Sequence, residues 1–216
     1  MNDAFYASAE IRWFWPGWAG WSVLLDWFEG NGRLPVPITP EPARTDHYLC
    51  LPDCQTVGVK QREGRFEVKA LTAGPYPTTV ETAVGQIDEW VKWSLQPSAA
   101  IALPFVADLN QSGPWRAVSK QRYTRLYQVV GDEVTAVAPG TIIAAGCGVE
   151  LTQISVAAST DKWITLGFEA FGSEGEKTPV LEKVLAHFLR QQGPPPTDLT
   201  ATNSLSYPAW LLRLNR

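Results

Sequence analysis

Cysteine, histidine and long apolar runs are all scarce in this chain, and each scarcity removes a class of explanation. Three cysteines, an odd number, are too few for a disulfide framework and predict a reducing, cytoplasmic setting. Cys50 and Cys54 frame a Pro-Asp turn, but Cys147 and the scattered His47 and His187 offer no second half for a zinc clip. The thiols therefore read as buried side chains. No stretch approaches the roughly 18 consecutive apolar residues of a membrane span. The start has neither a basic n-region nor an apolar run leading to a cleavage site, which predicts no signal peptide. Positive charge is in deficit as well: 18 Lys and Arg against 22 Asp and Glu leave a net charge of -4. A dedicated nucleic-acid binder is expected to be basic, so that class is disfavoured, while a local basic pocket is not.

What is present describes a folded globule. With 216 residues, 45% hydrophobic and 19% charged, the chain reads as a single domain over 1–216, with a Pro-rich tail from about 193 and no internal repeat. Alternation predicts strands at 7–15, 45–51, 101–106, 115–130, 133–138, 141–156 and 162–172. A short helix at 22–32 stops at Gly30 and Gly32, and Pro35, Pro37, Pro40 and Pro42 exclude helix and regular central strand from the connector after it. Val80, Val84, Ile87 and Val91 have helical spacing and predict a helix over 79–95. The clearest helix is 179–191, with Thr178 as N-cap, Pro179 at N1, and Gly193-Pro194 ending it. Strands in adjacent pairs with helices between groups predict an α+β fold, an antiparallel sheet or barrel with helices packed outside.

The segment VGVKQREGRFEVKA, residues 57–70, reads as a hairpin turning at Glu63-Gly64. That register puts Lys60, Arg62, Arg65, Glu67 and Lys69 on one face and Val59, Gln61, Phe66 and Val68 on the other. The pattern recurs. Glu10 shares a face with Arg12, Lys120 with Arg122, Glu150 with Gly148 and Thr152, and Glu169 with Thr165 and Gly167. A solvated sheet face has no reason to carry K-x-R twice with acids on separate strands. If the sheet closes, these faces converge on a lumen and no edge strand is left exposed. Cations confined in a lumen need anions, and guanidinium groups match phosphate oxygens bidentately.

These residues resemble the CYTH superfamily, the triphosphate tunnel metalloenzymes, over roughly 7–171 by residue type and spacing. The opening Glu-x-Glu-x-Lys motif of that family is matched by Ser8, Glu10 and Arg12, and its polar-x-Asp-x-Tyr element by Arg44, Asp46 and Tyr48. The first basic strand is matched by Lys60 and Arg62, the next by Glu67 and Lys69, the second basic strand by Lys120 and Arg122. Gly148 and Glu150 stand at the late acidic strand, and Glu169 where a last acid often lies. The resemblance implies an eight-stranded antiparallel tunnel with helices outside. It also implies metal-dependent cleavage of a phosphoanhydride: Arg12, Lys60, Arg62, Lys69, Lys120 and Arg122 would hold phosphate, with Arg65 and Glu67 completing the hairpin's ligand face. Glu10, Glu150 and Glu169 would form the catalytic set and hold Mg²⁺ or Mn²⁺.

The expected ligand is a triphosphate, a polyphosphate or a nucleotide anion. Ser8 and Gly148 replace family acids, and each lost carboxylate removes a hard oxygen ligand, which favours a non-catalytic phospho-ligand binder as the alternative. A different class of reading takes the Trp-rich segment 13–28 as an exposed protein-interaction patch.

Overall fold

The hairpin of 57–70 forms in the register read from its sequence. In the computed structural model, which describes residues 5–30, 36, 38–95, 114–157 and 160–214, Arg62 faces Arg65, Lys60 faces Glu67 and Gly58 faces Lys69. Its strands are β4 (Val57–Arg62) and β5 (Arg65–Val80), joined through Glu63 and Gly64, both at positive φ. The other strands are β1 (Phe5–Pro16), β2 (Thr39–Pro40), β3 (Arg44–Leu49), β6 (Ala83–Leu95), β7 (Trp115–Val130), β8 (Glu133–Val137), β9 (Gly146–Val156) and β10 (Lys162–Phe171). The predicted strand at 101–106 lies outside the described residues.

Eight of these strands close an antiparallel ring in the order β7-β3-β4-β5-β6-β1-β10-β9, and β9 pairs back onto β7 from Val118↔Val156 to Gln128↔Gly146. The short β2 and β8 attach to β7 outside the ring. Closure leaves every ring strand paired on both sides, the arrangement that removes aggregation-prone edges.

Because neighbouring side chains alternate, each strand serves two interiors. Outward residues Ile11, Trp13, Leu151, Leu166 and Phe168 meet α1 (Trp21–Glu29) and α2 (Lys177–Gln192). Phe188 of α2 is fully buried, edge-on to Trp27 at 5.4 Å and to Phe168 at 5.6 Å. Truncating such a ring to Ala costs about 3–5 kcal/mol. The Trp-rich segment belongs to this layer. Trp13 and Trp27 are buried, and the indole N–H groups of Trp13, Trp15, Trp18 and Trp27 donate to carbonyls of Val84, Asp198, Trp163 and Gly193. These rings tie elements together rather than forming an exposed anchor patch.

The predicted helix at 79–95 is instead the end of β5, a turn at Glu81-Thr82, and β6. Ala83, Gly85 and Ile87 alternate on the buried face while Val84 is 41% exposed. The helical spacing of the valines is a coincidence, and the smallest residues mark the core. A Cβ on Gly85 would stand 2.8 Å from Ile11 Cδ1 and from Ser204 Oγ. Helix α2 also begins two residues earlier than read: Lys177 opens it, and the Thr178 hydroxyl donates to Glu89 Oε1 at 3.0 Å instead of capping. Nor is the tail loose. Leu199 is buried, Ser204 bridges to Trp13, and α3 (Tyr207–Leu214) lies across one end of the ring. There Trp210 stacks on Phe14 at 5.0 Å within a second core of Tyr48, Val118, Ile154, Val156 and Leu211.

Candidate functional site

Phe14 shares its face of β1 with Glu10 and Arg12, so the apolar plug under α3 and the charged residues occupy one lumen in sequence. The charged part is a cavity of about 310 Å³, at the small end of ligand pockets, roughly 300–1,000 Å³. Among the described residues, eight cations and four carboxylates line it. Of the expected site residues, Glu10, Arg12, Lys60, Arg62, Glu67, Lys69, Lys120, Arg122, Glu150 and Glu169 all face this space. Arg65 does not: it sits exposed at the hairpin tip, beyond the rim. Lys92 and Arg44 complete the cations.

Ion pairs organise the wall. Glu150 accepts from Arg12 at 2.5 Å and from Arg122 at 3.0 Å, and Arg122 also holds Glu41. Burial opposes the charge on Glu150, yet Arg12 and Arg122 outweigh it and hold the carboxyl well below its ordinary range. Glu67 bridges Lys60 and Arg62, each at 2.9 Å. Glu10 takes Lys69 and the Ser8 hydroxyl, the latter at 2.7 Å, and it too stays ionised because these partners outweigh its burial. Asp46, fully buried behind the wall, lies 3.2 Å from Arg44 Nε and 3.3 Å from Lys120 Nζ.

Even with Asp46 and Glu41 counted, cations remain in excess. Two lysines carry the cost. Burial and the facing Lys120 push the Lys60 ammonium down to about 8 despite Glu67. Burial, and secondarily Arg12, push Lys120 down to about 8 despite Asp46 and Glu150. Lys120 is 6% exposed and lies against two stacked rings, 4.8 Å from Tyr48 and 4.0 Å from Tyr207. Both ammonium groups are held where burial disfavours their charge and the nearby carboxylates do not fully offset it.

The carboxylates do not assemble as a metal centre. Among the described residues no group of three or more His, Cys, Asp or Glu side chains is placed to hold a metal ion. Glu150 is committed to two guanidiniums and Glu10 to Lys69. Glu169 is aligned with Glu10 across β1–β10, and Asp88 with Glu10 across β1–β6. Burial and then Glu10 raise Asp88 to about 6, against the opposing pull of Lys69. The expected set Glu10, Glu150 and Glu169 thus shares a lumen, but salt bridges hold Glu10 and Glu150, and the three do not present a ready site for Mg²⁺ or Mn²⁺.

Sequence reasoning missed Lys92, Trp90, Glu41 and Tyr207. Lys92 and Trp90 were assigned to a helix; in β6 they alternate with Val91 and face the lumen beside Lys69. Tyr207 arrives from the tail, stacks on Tyr48 at 5.5 Å and carries no motif.

No family model matches the chain, and no curated protein matches it in sequence. Among solved structures it is similar to the PH1819 protein from Pyrococcus horikoshii OT3, at 14% identity and a TM-score of 0.44, over 96% of this chain and 99% of that one.

Proposed function

We propose that this barrel binds a phosphate-rich anion, a di- or triphosphate, inside its lumen, as a divergent relative of the triphosphate tunnel proteins that its motifs resemble. One observation carries the reading. A chain of net charge -4 concentrates eight cations against four carboxylates in one cavity. The excess is enclosed, and burial, with neighbouring cations as the lesser cause, depresses Lys60 and Lys120. An oligophosphate relieves that repulsion and offers several acceptor oxygens to guanidinium and ammonium donors at once. The ion pairs hold the donors in place before the ligand arrives, which lowers the ordering cost of binding.

Binding without a resident metal is the form that the donor set favours, since Glu10, Glu67 and Glu150 are held in internal salt bridges. The test is a thermal-shift titration of the full chain with tripolyphosphate, in EDTA and then with added Mg²⁺, against sulfate at equal ionic strength. Tripolyphosphate at a hundredfold excess over Kd is expected to add about 2.7 kcal/mol of apparent stability. A melting temperature indifferent to tripolyphosphate under both conditions removes the reading.

A further inference from the structure

The cavity is not cationic throughout. Its deepest cations, Arg12 and Lys120, are 8% and 6% exposed. Leu49, Leu51 and Val57, around the 50–57 loop, line the same space and are only partly buried, as is Leu212 of α3. Beside them Leu211 adds a buried wall from the same helix. One continuous cavity therefore has a cationic floor and an outer part in which apolar side chains stand beside the rim cations Arg62 and Lys69. An inorganic phosphate chain satisfies the floor and leaves the outer part in water, where apolar surface is costly.

Tyr207 stands where the two parts meet. Its ring lies 4.0 Å from Lys120 Nζ and 5.0 Å from Arg12 Cζ. Its hydroxyl oxygen is buried, yet it makes no hydrogen bond among the described residues. Buried polar groups are normally partnered, and an unpartnered donor on a cavity-lining residue points to a ligand acceptor.

We propose that the ligand is an organic di- or triphosphate whose other end is apolar and uncharged. Its terminal phosphoryl group sits among Arg12, Lys120 and the Tyr207 hydroxyl, and its organic group lies along Leu49, Leu51, Leu211 and Leu212. This rests on the phosphate-binding reading above and adds the chemistry of the remaining ligand. The tail helix is then part of the binding wall and not only a plug.

Calorimetric titration of the full chain with pyrophosphate and with geranyl diphosphate, the latter below its aggregation concentration, tests the pair. Geranyl diphosphate is expected to bind about tenfold tighter or better, a gain of about 1.4 kcal/mol. Leu212→Gln is expected to draw the ratio of the two affinities toward one. Tyr207→Phe keeps the apolar wall and is expected to weaken both probes by a similar factor. Equal wild-type affinities overturn the proposal while leaving phosphate binding intact, and so does a ratio unchanged by Leu212→Gln. Failure of both probes to bind takes down the phosphate reading together with it.

Discussion

The guanidinium of Arg12 occupies the space that any side chain at residue 167 would need: a Cβ built on Gly167 stands 2.4 Å from Arg12 Cζ and 2.5 Å from its Nη2. The two residues face each other across β1 and β10. Gly167 is therefore a receptor for Arg12, and it sets the height at which the guanidinium meets Glu150.

Gly167→Ala must displace either the guanidinium or the strand. Overpacking of this kind costs about 1–3 kcal/mol. The barrel is expected to fold with a lower melting temperature and to bind tripolyphosphate more weakly, since Arg12 leaves its pairing distance to Glu150. Arg12→Ala in the Gly167→Ala background should then remove little further affinity. Full additivity of the two substitutions would show that the contact is not what positions Arg12.

Arg62 tests the rim. Its Nη2 lies 2.9 Å from Glu67, and the side chain is more exposed than Arg12 or Lys120. Glu67 keeps Lys60 if Arg62 is removed. Arg62→Ala should therefore leave folding nearly unchanged. It should weaken tripolyphosphate by about 1.5–3 kcal/mol if a charged hydrogen bond is lost. Arg65→Ala, at the exposed tip, should leave both folding and binding unchanged, and comparable losses of affinity in the two variants would move the ligand outside the lumen.

The pH dependence follows from the two depressed lysines. Lys60 and Lys120 sit near 8 in the folded chain against an ordinary 10.5. Below about 8 they are protonated in both states, and the folded state bears the full cost of burying their charge. Between 8 and 10.5 the unfolded chain binds more protons, so these groups contribute stability that grows as pH rises. A bound polyphosphate requires the protonated forms. The ligand-induced rise in melting temperature should accordingly shrink from pH 7 to pH 9.5, while the ligand-free contribution moves the opposite way. A ligand-induced shift that grows with pH would contradict the assignment of Lys60 and Lys120 to the site.

The lumen was legible wherever a charged face alternated with an apolar one. The 57–70 hairpin announced its own register, and K-x-R at 120–122 and the acids at 150 and 169 kept strict parity with it. Two parts were not. In β6 the core face is built from Ala83 and Gly85, whose smallness conceals burial from any hydrophobicity pattern, so the valines beside them imposed a false helical period. Tyr207 reaches the site only because α3 folds back across the ring, a long-range placement that no local spacing encodes. The carboxylates illustrate a third limit. Their parity was visible, but whether they would face a metal or a guanidinium depended on distances between strands.

Glu150 decides between those two roles. Its oxygens meet Arg12 at 2.5 Å and Arg122 at 3.0 Å, with little of any of the three side chains in water. Glu150→Gln keeps the shape and removes the charge, leaving both guanidiniums under-compensated beside Lys120. Breaking a buried pair from one side costs about 3–5 kcal/mol. The variant should therefore unfold at markedly lower denaturant in the absence of ligand. An incoming polyphosphate restores the missing negative charge, so the same variant should bind tripolyphosphate more tightly than wild type and recover much of its lost stability when saturated. A metal ligand at this position behaves in the opposite way: its loss weakens Mg²⁺-supported binding and leaves binding in EDTA unaffected. Isothermal titration of both proteins with tripolyphosphate, in EDTA and in Mg²⁺, separates the cases. Tighter binding by Glu150→Gln in EDTA identifies the carboxylate as an internal counterion, and weaker binding confined to Mg²⁺ would return it to the metal.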